Sequence, residues 1–226
     1  YCLPVLLALA RHLQTLPATR AAQFRRPLGA MKRSILVGRA CARAATAVIF
    51  DPDASQSDRK LLQTHWRVGC WIAGVCSDLG YLVDQVEVVD SAGEAWRPVF
   101  DSQTEWAQRR TTRRVWVRWR TRHPQTHHKV SSGSDAYLAA RIVPPNVLAY
   151  LQAGSGEIVR TVLDCISGTT GTHGRTLFQL VESARAAVAN ADLQSDPTHY
   201  GRPVIGIVMP EFVVSAMRSC VSEHIW

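Results

Sequence analysis

The first fifty residues contain no Asp and no Glu; the first acid is Asp51. They hold eight of the 26 basic residues. Residues 51–226 therefore carry 18 basic and 18 acidic side chains, and the whole +8 excess lies in the N-terminal segment. Lysine is scarce as well, with Lys32, Lys60 and Lys129 against 23 Arg. Arginine favours bidentate contact with phosphate and stacking on bases, although GC-rich coding produces the same bias. No stretch approaches the roughly 20 apolar residues of a membrane-spanning helix; the most apolar run is Leu3 to Ala10. Basic residues follow that run instead of preceding it, which disfavours a secretory leader. The six cysteines, Cys2, Cys41, Cys70, Cys76, Cys165 and Cys220, include no C-x-x-C pair. That spacing is poor for zinc and suits buried thiols better than a disulfide framework. No G-x-S-x-G is present, which removes the usual sign of a hydrolase nucleophile.

What is there suits a globular protein. Apolar residues make up 46% and charged residues 19%, enough for a real core. The acid-free stretch 1–45, rich in Arg, Ala and Leu, reads as a basic N-terminal arm of the targeting type. Residues 46–226 read as a single α+β globular domain. The expected fold is α+β: a small antiparallel sheet, a meander over about residues 82–122, packed with helices and preceded by the arm.

Periodicity gives the expected elements. Leu3, Leu6, Leu7, Ala10 and Leu13 have helical spacing, and 17–45 reads as extended with short helical pieces. Residues 46–50 are a β-branched run suited to a buried strand. Ser55, Ser57 and Asp58 are N-cap candidates for a helix through Leu79, with Gly80 as its stop. The meander would use 83–89, 96–100 and 113–122, joined by a turn at 90–94. Helical pieces follow over 135–152, broken at Pro144-Pro145. The stretch 157–166 is apolar and of ambiguous type. A Gly/Thr loop at 167–175 leads to a helix at 176–193, then a strand at 203–209 and a helix at 211–224.

The strongest local signal is the stretch from Glu105 to Lys129. It holds Arg109, Arg110, Arg113, Arg114, Arg118, Arg120, Arg122 and Lys129 against one acid. Alternation along a strand puts Val115, Val117 and Trp119 on one face, and Arg114, Trp116, Arg118, Arg120 and Arg122 on the other. A row of guanidiniums around an aromatic ring tracks a phosphate backbone and stacks a base. The same strip also suits an acidic partner protein, and it blunts edge-to-edge aggregation. His123, His127 and His128 have no Cys or acid near them in sequence and read as a solvated loop, not metal ligands.

Two short stretches carry other resemblances. Ser167 to Thr176 resembles a Walker A loop, with Arg175 where a Lys is needed, and reads as a loop before a helix that could hold one phosphate. Ala47-Val48-Ile49-Phe50-Asp51-Pro52-Asp53-Ala54-Ser55 resembles the first motif of the haloacid-dehalogenase-like phosphohydrolases. That resemblance implies Asp51 as nucleophile and Asp53 as general acid/base beside a bound Mg²⁺. Ala54 replaces the usual Gly.

Arm and charge-polarised body together point to a non-catalytic structural subunit of a large mitochondrial assembly, RNA-contacting and mitoribosome-like. Its expected partners are other subunits and ribosomal RNA, with anionic lipid or a membrane-complex surface as further surfaces. No cofactor, metal or small-molecule substrate is expected. The alternatives are an accessory subunit of a respiratory-chain or ATP-synthase complex, a viral coat protein with a genome-binding arm, and the Asp51/Asp53 phosphatase.

Overall fold

A computed structural model describes residues 1–19, 24–52, 54–110, 114–120, 132–169 and 174–195. The expected strand at 203–209 and helix at 211–224 lie outside these residues. The fold is α+β, mostly helical, with one two-stranded antiparallel sheet.

The acid-free segment is the first correction. The helical spacing of its first part is α1 (Cys2–Leu13), as expected, but the stretch read as extended carries a long helix, α2 (Gly29–Ala44). In α1, Val5, Leu9 and Leu13 recur at a spacing of four and are fully buried together with Leu16, while Leu3 and Leu7 face outward. In α2, Ala30, Arg33, Ser34, Val37, Gly38 and Cys41 form the buried stripe. The arm is thus not confirmed: both helices bury an apolar face in the same core as the rest of the chain.

The centre of that core is α3 (Gln56–Cys76), which packs on α2 more extensively than any other helix pair. Ser55 caps its start, its hydroxyl accepting from the Asp58 N–H at 3.2 Å. The two helices approach closely at paired glycines. A Cβ on Gly74 would lie 2.7 Å from Cys41 Sγ and 2.9 Å from Gly38 Cα. Only hydrogen fits between the backbones there.

The expected helix through Leu79 instead breaks at Asp78, and α4 (Leu79–Asp84) starts afresh. Asp78 turns inward, with φ −133°, to meet two arginines. Arg33 Nη2 lies 2.7 Å from one carboxylate oxygen, and Arg185 Nη2 pairs with the other. Gly80 is therefore no terminator. Its N–H sits in the first turn of α4 and donates to Asp135 Oδ1 at 2.5 Å.

Around α3 lie α6 (Ser132–Ile142), α7 (Pro145–Gly154), α8 (Gly156–Ile166) and α9 (Gly174–Ser195). Pro145 occupies the first turn of α7, where a missing N–H costs nothing, so the break at Pro144-Pro145 falls as expected. The ambiguous stretch 157–166 is helical. Ser155 caps α8, and Ile158, Val162, Cys165 and Ile166 form its buried stripe. Cys41, Cys76 and Cys165 are buried thiols whose pKa burial pushes up to about 12, and burial raises Cys70 as well.

The strand expected at 46–50 is absent. Ala45–Ala47 is a 3₁₀ turn, Val48 is extended without a partner strand, and Phe50 leaves the backbone path to stack on Trp66 at 4.4 Å. Asp51 then sits in an irregular link, not at a strand end, and Asp53 lies outside the described residues. Among the described residues no cluster of His, Cys, Asp or Glu could hold a metal. The phosphohydrolase reading of Asp51 and Asp53 loses its strand and is withdrawn.

Candidate nucleic-acid interface

The sheet consists of β1 (Val86–Asp90) and β2 (Val115–Trp119). Both are runs of β-branched and aromatic residues, which fit a pleated, half-buried surface. The register places Val88 opposite Val117, Glu87 opposite Arg118 and Val89 opposite Trp116. Arg120 prolongs the pairing, its N–H donating to Gln85 O at 2.9 Å.

The third strand expected at 96–100 does not form. Trp96 N–H reaches Val88 O at 2.7 Å and Val89 bridges Ala95, but the chain then turns, with Phe100 N–H donating to Arg97 O. Pro98 has no N–H to continue a ladder. Residues 103–108 are instead α5 (Gln103–Gln108), opened by a capping box in which Ser102 and Glu105 serve each other's backbone. Those bonds from Ser102 hold the Glu105 carboxyl below the usual carboxylate range.

β2 divides its side chains as the alternation requires. Val115, Val117 and Trp119 pack against the core. Arg114, Trp116, Arg118 and Arg120 are exposed on the other side. From Arg114 to Arg120 this row spans about 20 Å at strand rise. Trp116 keeps 47% of its surface exposed, an unusual position for an indole. Among the described residues Arg114, Arg118 and Arg120 make no ion pair, even though Glu87 stands across the ladder from Arg118.

Arg109 and Arg110 are placed differently. They end α5, where a cation suits the negative end of the helix dipole. Arg109 pairs with Asp101 and holds that carboxyl below its ordinary range. Arg110 pairs with Glu94, approaches Asp90 to 3.7 Å and lies 5.1 Å from the Trp106 ring centroid. Asp90 Oδ1 in turn accepts from the N–H groups of Ala92 and Glu94, closing the turn after β1. Arg110 therefore braces the end of β1, and Arg109 ties the end of α5 to the loop before it. Arg113, Arg122, Lys129, His123, His127 and His128 lie outside the described residues.

Reading the residues in order misses a groove at the end of β2. Trp96, Arg97, Phe100, Tyr137, Asp84 and Arg120 line a depression of about 560 Å³. The run Trp96-Arg97-Pro98-Val99-Phe100, basic and aromatic around a proline, was the available signal. The Gly/Thr run before α9 follows helix α8, not a strand, so the strand–loop–helix setting of a Walker A cradle is not formed. Among the described residues no helix is long and apolar enough to cross a membrane.

No curated protein and no solved structure matches the chain significantly. The TraI_2 family, described as "Putative helicase", matches residues 1–226. That match overturns the structural-subunit reading and its respiratory, coat-protein and ribosomal variants. A helicase is an enzyme, so the expectation of a non-catalytic protein is corrected with it. The mitochondrial location falls too: it rested on a targeting-like arm, and those residues form α1 and α2 and lie within the family match. By this match across its whole length, the chain belongs to the TraI_2 family.

Proposed function

We propose that this chain works on nucleic acid as a helicase, and that the outer face of β2 holds the single strand. One observation supports this above the rest: Arg114, Arg118 and Arg120 stand in a row around exposed Trp116, with no acid of the described residues neutralising them. Guanidiniums at alternate positions meet successive phosphates, and an indole between them offers its face to a base of any identity. Sequence-independent grip of that kind is what strand separation requires, because every base must pass the same surface. Family membership supplies the reaction class, and the strand supplies the contact. The proposal gives β2 the holding of the strand, not the hydrolysis of a nucleotide.

The test is a titration of the full chain with a labelled single-stranded oligonucleotide over a range of salt, beside unwinding of a tailed duplex with ATP. Binding should weaken steeply with salt, and Arg118→Ala should flatten the slope by about 0.7, the share of one phosphate contact on a single strand. Affinity indifferent to salt would overturn the proposal.

A further inference from the structure

The groove at the end of β2 has a wall fixed by hydrogen bonds of its own lining residues. Trp96 is fixed by its Nε1–H, which donates to Asp101 O at 3.0 Å. Val99 O accepts from Tyr137 Oη–H at 2.7 Å and from Arg141 Nη1 at 3.0 Å, tying the 95–101 segment to α6. The segment is thereby pinned while Phe100 near its end, 67% exposed, and Tyr137 on α6, 44% exposed, meet solvent. Phe100 and Tyr137 thus offer exposed ring surface beside a backbone that these bonds fix.

The charges around these rings say what would cover them. Arg97 and Arg120 line the groove, and neither makes an ion pair among the described residues. Asp84 also lines it, with no partner among those residues. Aromatic faces, two guanidiniums and one carboxylate match the parts of a nucleotide. The rings stack on the base, the guanidiniums take its phosphates, and the carboxylate accepts from a ring or exocyclic N–H. Arg120 belongs to both features, since it is the last guanidinium of the β2 row and a wall of the groove.

We propose that the groove is a base pocket, receiving one unstacked nucleobase of the strand that lies along β2. This rests on the reading of β2 as the strand-holding surface. Arg120 grips the phosphate where the strand leaves the sheet. The next base turns into the groove against Phe100 and Tyr137, and Arg97 holds its far phosphate. Such a pocket makes the strand's register discrete: it advances by whole bases instead of sliding on its phosphates.

The full chain is titrated with a short single-stranded oligonucleotide carrying 2-aminopurine, moved position by position, and with the same strand bearing an abasic site there. One position should show fluorescence quenching by ring stacking. An abasic site at that position should weaken binding about fivefold or more. Phe100→Ala, at an exposed position, should weaken the intact strand by the same factor, abolish the distinction from the abasic strand and leave the salt slope unchanged. Phe100→Trp should restore it. If Phe100→Ala binds both strands as the parent does while steep salt dependence persists, the base pocket is wrong and the β2 track stands. If no strand binds even at low salt, both are wrong. If a free nucleoside monophosphate displaces the quenched base as well as an equal concentration of strand does, the occupant is a free nucleotide and the assignment to the strand is overturned.

Discussion

Arginine does opposite work in two regions of this molecule. In the helical core, Arg33 and Arg185 converge on Asp78; the Arg33 and Asp78 side chains keep only 9% and 6% of their surface. On β2, Arg114, Arg118 and Arg120 carry the same group into solvent with no ion pair among the described residues. In the core the charge is satisfied within the chain and fixes where α3 ends, α4 begins and α9 docks. On the sheet the charge stays in solvent without an ion pair among the described residues, where the proposed function places the strand. Burial and pairing, not residue type, separate the arginines that hold this fold together from those left open to solvent.

The sharpest way to break this contrast is to strand the core arginines. Asp78→Ala leaves the buried Arg33 without a counter-charge, while Arg185 keeps Glu182, and loss of one partner of a buried pair costs about 3–5 kcal/mol. Urea unfolding should show that loss, with the midpoint falling and the slope unchanged. A variant as stable as the parent would mean the cluster is solvated and the contrast false. A second core change leaves the charges alone. Gly74→Ala pushes a methyl against Cys41 Sγ and the Gly38 backbone, and overpacking of this kind costs about 1–3 kcal/mol. Thermal melting checks it, and no loss would show that α2 and α3 can move apart freely.

On the sheet the outcome reverses. Trp116→Ala should lower the melting temperature less than either core change, since nearly half the residue already meets solvent, yet weaken single-strand binding about fivefold or more. A variant that melts early and binds normally would make Trp116 a packing residue.

The smallest effect concerns pH. His12 in α1 is 5% exposed, and its Nδ1 lies 2.9 Å from Ala8 O. Burial, offset in part by that carbonyl, holds its pKa below the ordinary imidazole value of about 6.5. Below that pH the unfolded chain takes up a proton that the folded chain refuses, so stability falls as pH drops through this window. His12→Gln should flatten the decline in chemical-denaturation midpoints. Parallel curves for parent and variant would show that His12 is not its source.

Much of the fold was legible locally. The Ser55 cap, the break at Pro144-Pro145, the long helix toward residue 193 and the two faces of β2 all follow from spacing and from residues that start or stop an element. Long-range pairing was not legible. Arg33 reads as a charge in an acid-free arm because its acid, Asp78, lies on a different element far along the chain. Arg109 and Arg110 read as part of the basic stretch from Glu105 to Lys129 because their partners Asp101 and Glu94 come from the preceding loops. Val48 to Phe50 has strand composition but no partner strand, and a lone extended run earns no ladder bonds. The groove gathers α4, the end of β2, the 95–101 segment and α6, four parts that no window of sequence brings together.

The most direct measurement is the salt dependence of single-strand binding by the parent and by the Arg114→Ala/Arg118→Ala/Arg120→Ala variant. Three phosphate contacts on a single strand contribute a slope of about 2 in log affinity against log salt. The account predicts a variant that melts like the parent and binds with a slope flatter by about that amount. Equal slopes for the two proteins would contradict it, because the β2 arginines would then be no more engaged by nucleic acid than any other charge on the surface.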